Sequence, residues 1–211
     1  MIAALLLGLA PVVTAIDAER AFAADAQKIG QWTAFRKYAD DTAVMFTPQA
    51  IWAHEFLKDR KDPPKSVEWW PQRSLLSCDG RIAVNTGPAF RPDGTHYGQF
   101  TTVWMREKGA WSWVYDNGSD AAGKPSRKPA RPKVTRASCR KQAPGAPIIA
   151  PIPLTERQAR KAPEDSGRGE SADKTLGLDW KVAKSGEHHF RVYLWNGRGY
   201  DEALALHVAG Q

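Results

Sequence analysis

The stretch Thr95–Asp120, THYGQFTTVWMREKGAWSWVYDNGSD, decides the fold. Two runs rich in Trp, Tyr, Phe, Thr and Val flank the polar tip Arg106-Glu107-Lys108-Gly109. Such β-prone runs, joined by a turn containing Gly, form a long antiparallel hairpin. The stretch holds three of the nine Trp residues, so it is also the centre of a core. Strict alternation along its second run puts Ser112, Val114 and Asp116 on one face and Trp111, Trp113, Tyr115 and Asn117 on the other. The sequence does not say which face is concave.

Upstream segments supply what packs against the hairpin. Asp17 can cap a helix over Ala18–Ile29, with the stripe Ala18, Phe22, Ala26, Ile29 and Gly30 as its stop. A second helix is expected over Gln31–Ala39, carrying Trp32, Phe35 and Tyr38. Thr42–Thr47 reads as a short apolar strand closed by Pro48, and Gln49–Leu57 as a short helix. Ser66 can cap another short helix carrying Trp69 and Trp70, ended by Pro71. A strand over Leu75–Phe90, broken at Asp79-Gly80, leads through the turn Pro92-Asp93-Gly94 into the hairpin.

Helices followed by long antiparallel strands describe an α+β cone, a curved sheet with helices on one face. The segment AERAFAADAQKIGQWTAFRKYADDTAVMFTP, the WWP cluster at Trp69–Pro71 and the strands DGRIAVNTG, GQFTTVWMREKGAWSWVYD and NGSD carry a family resemblance. Over residues 18–120 the chain resembles the nuclear transport factor 2-like (cystatin-like fold) superfamily, in particular bacterial domains related to ketosteroid isomerases and polyketide cyclases. The resemblance implies a pocket between sheet and first helices. In the isomerases and cyclases that pocket performs proton transfer with carboxylates or His, but the fold as such hosts many unrelated activities.

Composition places the remaining parts. The net charge is +7, yet eight basic residues without an acid lie between Ala121 and Lys141: Lys124, Arg127, Lys128, Arg131, Lys133, Arg136, Arg140 and Lys141. The rest of the chain has 22 basic against 23 acidic residues and is close to neutral. The expected organisation is therefore a 16–120 domain, a basic, Pro-rich linker and loop over 121–174, and a three-stranded β meander over 175–211. The meander alternates Leu176, Leu178, Trp180, Val182 and Phe190, Val192, Leu194, with Asn196-Gly197 as a hairpin turn. It is too small to stand alone, so it is expected to dock on the main domain or on a second copy.

Residues 1–15, MIAALLLGLAPVVTA, form a short apolar run ending in small residues, as a signal peptide does, although no Lys or Arg precedes it. The run is too short to span a membrane. An exported chain, periplasmic or secreted, permits one disulfide between its two cysteines, Cys78 and Cys139; two buried thiols are the alternative in a reducing compartment.

Asp116 is the leading carboxylate candidate for acid–base work, because a carboxyl held in an apolar site is raised in pKa. The competing reading is an Asp that caps the Asn117-Gly118 turn. His54, beside Trp52 and Glu55, is a second candidate and Tyr38 a possible assistant; His96 reads as a turn residue. His188 and His189 are adjacent in a strand and point to opposite faces, so together they hold no metal. Tyr38, Trp69, Trp70, Trp104 and Trp113 either line a ligand pocket or form core. There is no phosphate loop, nucleophile elbow or metal-ligand cluster, so no cofactor or metal is expected. The basic run lacks aromatics for stacking, which argues against nucleic acid as a partner. The leading expectation is a non-catalytic binding or scaffold module for a small hydrophobic ligand or protein partner, with a homodimer through its sheet as the expected assembly. The alternatives are a proton-transfer enzyme using Asp116, and binding of anionic surfaces through the basic linker.

Overall fold

The computed structural model describes residues 13–92, 97–120, 129–140 and 165–209. The apolar run over 1–12, His96, the basic residues Lys124, Arg127, Lys128 and Lys141, and the Pro-rich segment over 143–153 lie outside the described residues. Two helices come first, α1 (Ala15–Ile29) and α2 (Gln31–Tyr38). The sheet strands that follow are β1 (Ala39–Phe46), β2 (Ala50–Trp52), β3 (Glu68–Trp69), β4 (Arg73–Leu76), β5 (Ile82–Phe90), β6 (Tyr97–Glu107) and β7 (Ala110–Asp120), with the one-turn helix α3 (Ala53–Leu57) after β2. β8 (Lys133–Arg136) and then β9 (Ser166–Glu170), β10 (Leu176–Val182), β11 (His188–Trp195) and β12 (Tyr200–Val208) complete the chain.

β6 and β7 are the expected hairpin. Glu107 pairs with Ala110, and Lys108 and Gly109 at the tip both take positive φ, 48° and 88°. The first sheet runs β2-β1-β7-β6-β5-β4-β8, with β3 also on β5, so the hairpin sits at its centre. α1 and α2 cover one face, and the fold is the α+β cone. The second sheet runs β12-β11-β10-β9 and covers the other face. Leu75, Val84, Val103 and Tyr115 of the first sheet meet Leu176, Leu178, Phe190 and Val192 of the second in one apolar cluster. A homodimer through that face of the first sheet would have to displace this second sheet.

Four local expectations are corrected. Thr14, not Asp17, caps α1; Asp17 answers from the third helical position, its carboxylate accepting from the Thr14 backbone in a capping box. Residues 50–52 form β2 because they pair with β1, and only residues 53–57 are helical. Trp69 lies in a strand, not a helix, since Glu68 and Trp69 pair with Phe90 and Ala89. Within the basic segment, Lys133–Arg136 is a strand lying parallel to β4, and β9 makes the C-terminal sheet four-stranded. The last three reflect partners distant in sequence overriding local pattern, whereas the cap is a local exchange between residues three apart.

A disulfide joins Cys78 to Cys139, 61 residues apart. It fastens the segment after β8 to the end of β4. Nearby, Cys78 N–H donates to Thr175 Oγ1 at 2.8 Å and Ser138 N–H to the Trp195 carbonyl at 2.7 Å. The bridge therefore sits where the two sheets are tied together. Among the described residues no helix is long and apolar enough to cross a membrane.

Candidate functional site

A bulge in β7 determines which side chains share the helix-covered face. Val103 pairs with Tyr115 and Trp104 with Trp113, so Val114 is an extra residue in the ladder. Strict alternation fails there. Trp113 belongs to the helix-side core and Tyr115 to the core shared with the second sheet. Asp116 pairs across from Thr102, which pairs in turn with Asn85. These three form a polar row on the face that carries Trp104 and Trp113, with Asp116 on the side opposite to the one strict alternation assigns.

α1 lowers Glu19 onto this row. Glu19 is fully buried. Its Oε1 accepts from Trp69 Nε1 at 2.8 Å, and its Oε2 from Trp104 Nε1 at 2.6 Å and Asn85 Nδ2 at 3.3 Å. Asn85 Nδ2 also donates to the Ala15 carbonyl at 3.0 Å. Burial pushes the Glu19 carboxyl up to about 7; the three donors oppose that shift and the Asp116 charge adds to it. Asp116 is partly buried, and its Oδ2 accepts from Thr102 Oγ1 at 2.9 Å. Desolvation raises it to about 7 as well, against the Thr102 hydrogen bond. The arrangement is thus two carboxyls on one apolar face, each able to hold or release a proton near neutrality.

Glu19 escapes a sequence reading that lists only strand carboxylates. The available signal was its position: one acid within the buried helical stripe Ala15, Ala18, Phe22 and Ala26. A charged residue on such a stripe is buried only if partners wait for it. Here the partners are two indole N–H groups, the polar handles of otherwise apolar side chains.

The other expected site residues are placed elsewhere or built into core. His54 is exposed, and its Nε2 meets the Asp41 carbonyl at 2.7 Å. Tyr38 donates to Asp25 Oδ2 at 2.9 Å; burial, and after it this hydrogen bond, raises its phenol pKa. Neither shares a hydrogen bond with Asp116. Trp69, Trp104 and Trp113 are core, packed around Phe22 and Phe35 with ring centroids 4.7–6.1 Å apart. Trp70 stacks on Phe90 at 5.0 Å. A cleft of about 610 Å³ opens elsewhere, between the end of α1 and residues 63–68 and 90–92. Ala26, Pro63, Pro64 and Phe90 line it with Gln27, Lys65 and Arg91, and none of the five expected pocket aromatics does. Of the basic run, Arg131, Lys133, Arg136 and Arg140 are described and exposed.

Among solved structures the chain is similar to a protein of unknown function of the DUF3225 family from Pectobacterium atrosepticum. The two are 14% identical with a TM-score of 0.41, over 54% of this chain and 94% of the other. It is also similar to the CaMKII hub homology domain of Chlamydomonas reinhardtii, at 17% identity and a TM-score of 0.35, over 50% of this chain and 98% of the other. No protein-family model matches the chain, and no curated protein does.

Proposed function

We propose that this chain is an exported, non-catalytic binding module of the nuclear transport factor 2-like type. The observation that carries the reading is a filled interior. Where the isomerase-like relatives are expected to hold a substrate, Trp104 and Trp113 are fully buried and both Glu19 oxygens are occupied by Trp69, Trp104 and Asn85. Among the described residues, a concavity open to a ligand is the cleft at the end of α1. Its lining sets Ala26, Pro63, Pro64 and Phe90 beside Gln27, Lys65, Ser66, Glu68 and Arg91, a mixed wall that suits a small ligand with an apolar body and a polar end. The disulfide supports an oxidising compartment. A processing point after Ala15 would remove the Thr14 cap and the Val13 carbonyl that accepts from Trp111 Nε1, so the export reading puts the mature start before Val13.

The test is a titration with the apolar anionic probe 1-anilinonaphthalene-8-sulfonate. Saturable binding weakened at least about tenfold by Phe90→Ala or Arg91→Ala, and indifferent to Asp116→Asn, supports the reading. Binding that depends on Asp116 and not on Phe90 overturns it.

A second reading, proton transfer at Asp116, is favoured by one observation: Asp116 and Glu19 lie on one face with both carboxyls raised to about 7. Under this reading Asp116 is the acid–base group and Glu19 positions it. Catalysed solvent-deuterium exchange at the α-carbon of a cyclic ketone, lost in Asp116→Asn, would establish it. Exchange at the same rate in Asp116→Asn removes it.

A further inference from the structure

The outer face of the second sheet carries a cluster with no part in either core. His189 and His207 are direct cross-strand partners on β11 and β12. Their inward neighbours, Phe190 and Leu206, belong to the apolar cluster, so the two imidazoles point away from it. Both are exposed, and their rings stack with centroids 4.5 Å apart and planes 11° from parallel. Glu187 immediately precedes β11, after the Lys184–Gly186 turn. His189 Nε2 lies 3.0 Å and His207 Nε2 2.9 Å from one oxygen, Glu187 Oε1.

We propose that Glu187, His189 and His207 form a binding site for a divalent transition-metal cation of the zinc class. Three potential ligand atoms, two imidazole nitrogens and a carboxylate oxygen, lie within 4.8 Å of one another. Two nitrogens and one oxygen are the donors a borderline cation prefers, whereas calcium and magnesium take oxygen alone. Around a tetrahedral zinc with Zn–N of about 2.0–2.1 Å the donors stand about 3.3 Å apart. The two imidazole nitrogens need to stand back from the carboxylate oxygen by only a few tenths of an ångström, and exposed side chains on a sheet surface can adjust around a cation. Each Nε2 directs its bond at the same carboxylate oxygen, so one cation can replace the two shared protons, with the ring protons moving to Nδ1. Three protein ligands leave coordination positions for water or for a donor from a partner surface. Lys181, in register with His189 on β10, opposes cation binding and holds the affinity below that of a four-ligand structural site. The cation would clip β11 to β12 at the end of the sheet far from the Asn196-Gly197 turn.

The experiment is calorimetric titration of the tag-free full chain, stripped with chelator, with zinc chloride. One zinc per chain is expected. His189→Ala and His207→Ala should each weaken binding at least about tenfold and Glu187→Gln measurably, while His54→Ala leaves it unchanged. Calcium and magnesium should give no binding heat at the same concentrations. All three substitutions are on the surface, so circular dichroism should show unchanged folds. Zinc binding that survives the His189→Ala/His207→Ala double variant, or no zinc binding at millimolar metal, overturns the proposal and leaves the cluster as a surface ion pair.

Discussion

The two faces of the first sheet solve the same packing problem with opposite chemistry. The helix-side core is aromatic, built on Phe22, Trp69, Trp104 and Trp113, and encloses the Glu19 carboxyl, which Trp69 and Trp104 hold by their indole N–H groups. The core against the second sheet is mainly aliphatic and encloses an imidazole. There Tyr115 and His188 form the polar pair, 3.0 Å apart, among Leu75, Val84, Val192 and Leu194. Burial raises Glu19 to about 7 and lowers His188 to about 4. With His188 neutral, the Tyr115 hydroxyl donates and Nε2 accepts; desolvation holds the phenol well above its ordinary 10. In each core burial favours the uncharged form, and only the sign of the proton uptake differs. One strand serves both, because the bulge at Val114 sends Trp113 one way and Tyr115 the other.

The largest effect should come from breaking the aromatic side. Trp104→Ala removes a fully buried indole and should destabilise the chain by about 3–5 kcal/mol in denaturant unfolding. Trp104→Phe keeps most of the volume but deletes the donor to Glu19, and should cost about 1–3 kcal/mol. A negligible cost for Trp104→Phe would mean that Glu19 does not need the indole.

Next is the link between the cores. Replacing both cysteines by Ser should destabilise by up to about 4 kcal/mol on the chain-entropy model for a 61-residue separation. Hydrogen exchange should accelerate first in β9–β12, whose ties to the first sheet lie beside the bridge. Acceleration first in α1 would show that the bridge holds something else.

The pH dependence separates the two faces most cleanly. Glu19 has a folded pKa of about 7 against an ordinary 4.5, so the folded chain binds more protons between those values. Its contribution is present below about 4.5 and lost as pH rises through about 7, on the order of 3 kcal/mol. Asp116 acts in the same direction. His188 does the reverse: its folded pKa of about 4 lies below 6.5, so stability is present above 6.5 and lost as pH falls towards about 4, again on the order of 3 kcal/mol. With two raised carboxyls against one lowered imidazole, the intact chain should lose stability as pH rises from 4.5 to 6.5. Glu19→Gln should flatten that fall, leaving Asp116 and His188 to offset each other, and His188→Phe should steepen it. Parallel changes in both variants would break the comparison.

How much of this was legible in the sequence follows the range of the interactions. The hairpin over 97–120, both helices and the strands β10–β12 are local patterns, and their residues announce them. The bulge is not, because nothing in Trp113-Val114-Tyr115 marks Val114 as the extra residue; pairing with β6 and β1 decides it. Asp116 was legible as a candidate but its face was not. Glu19 was hidden among residues read for apolar spacing, though its place on the stripe was a usable clue. The His189–His207 pair was missed for a different reason. Adjacency along the chain draws the eye to His188-His189, while the register of β11 on β12 brings His207 alongside. β8 depends on a parallel partner in β4 that its basic, Pro-flanked sequence does not indicate.

The smallest effect lies at the hairpin tip, beyond both cores. Lys108 has φ of 48°, a left-handed conformation that is strained for a side chain of its kind, and Gly109 follows at 88°. Asn tolerates this conformation and precedes Gly in the favoured two-residue turn. Lys108→Asn should therefore stabilise by about 0.5–1 kcal/mol. Gly109→Ala should destabilise by about 1 kcal/mol through backbone strain alone, since a Cβ there meets nothing within 4 Å. Neither change touches Glu19, Asp116 or His188, so both should shift the whole stability profile by a constant at every pH. A tip variant that altered the slope would mean that hairpin register, and with it the bulge at Val114, had moved, carrying Asp116 off the face it shares with Glu19.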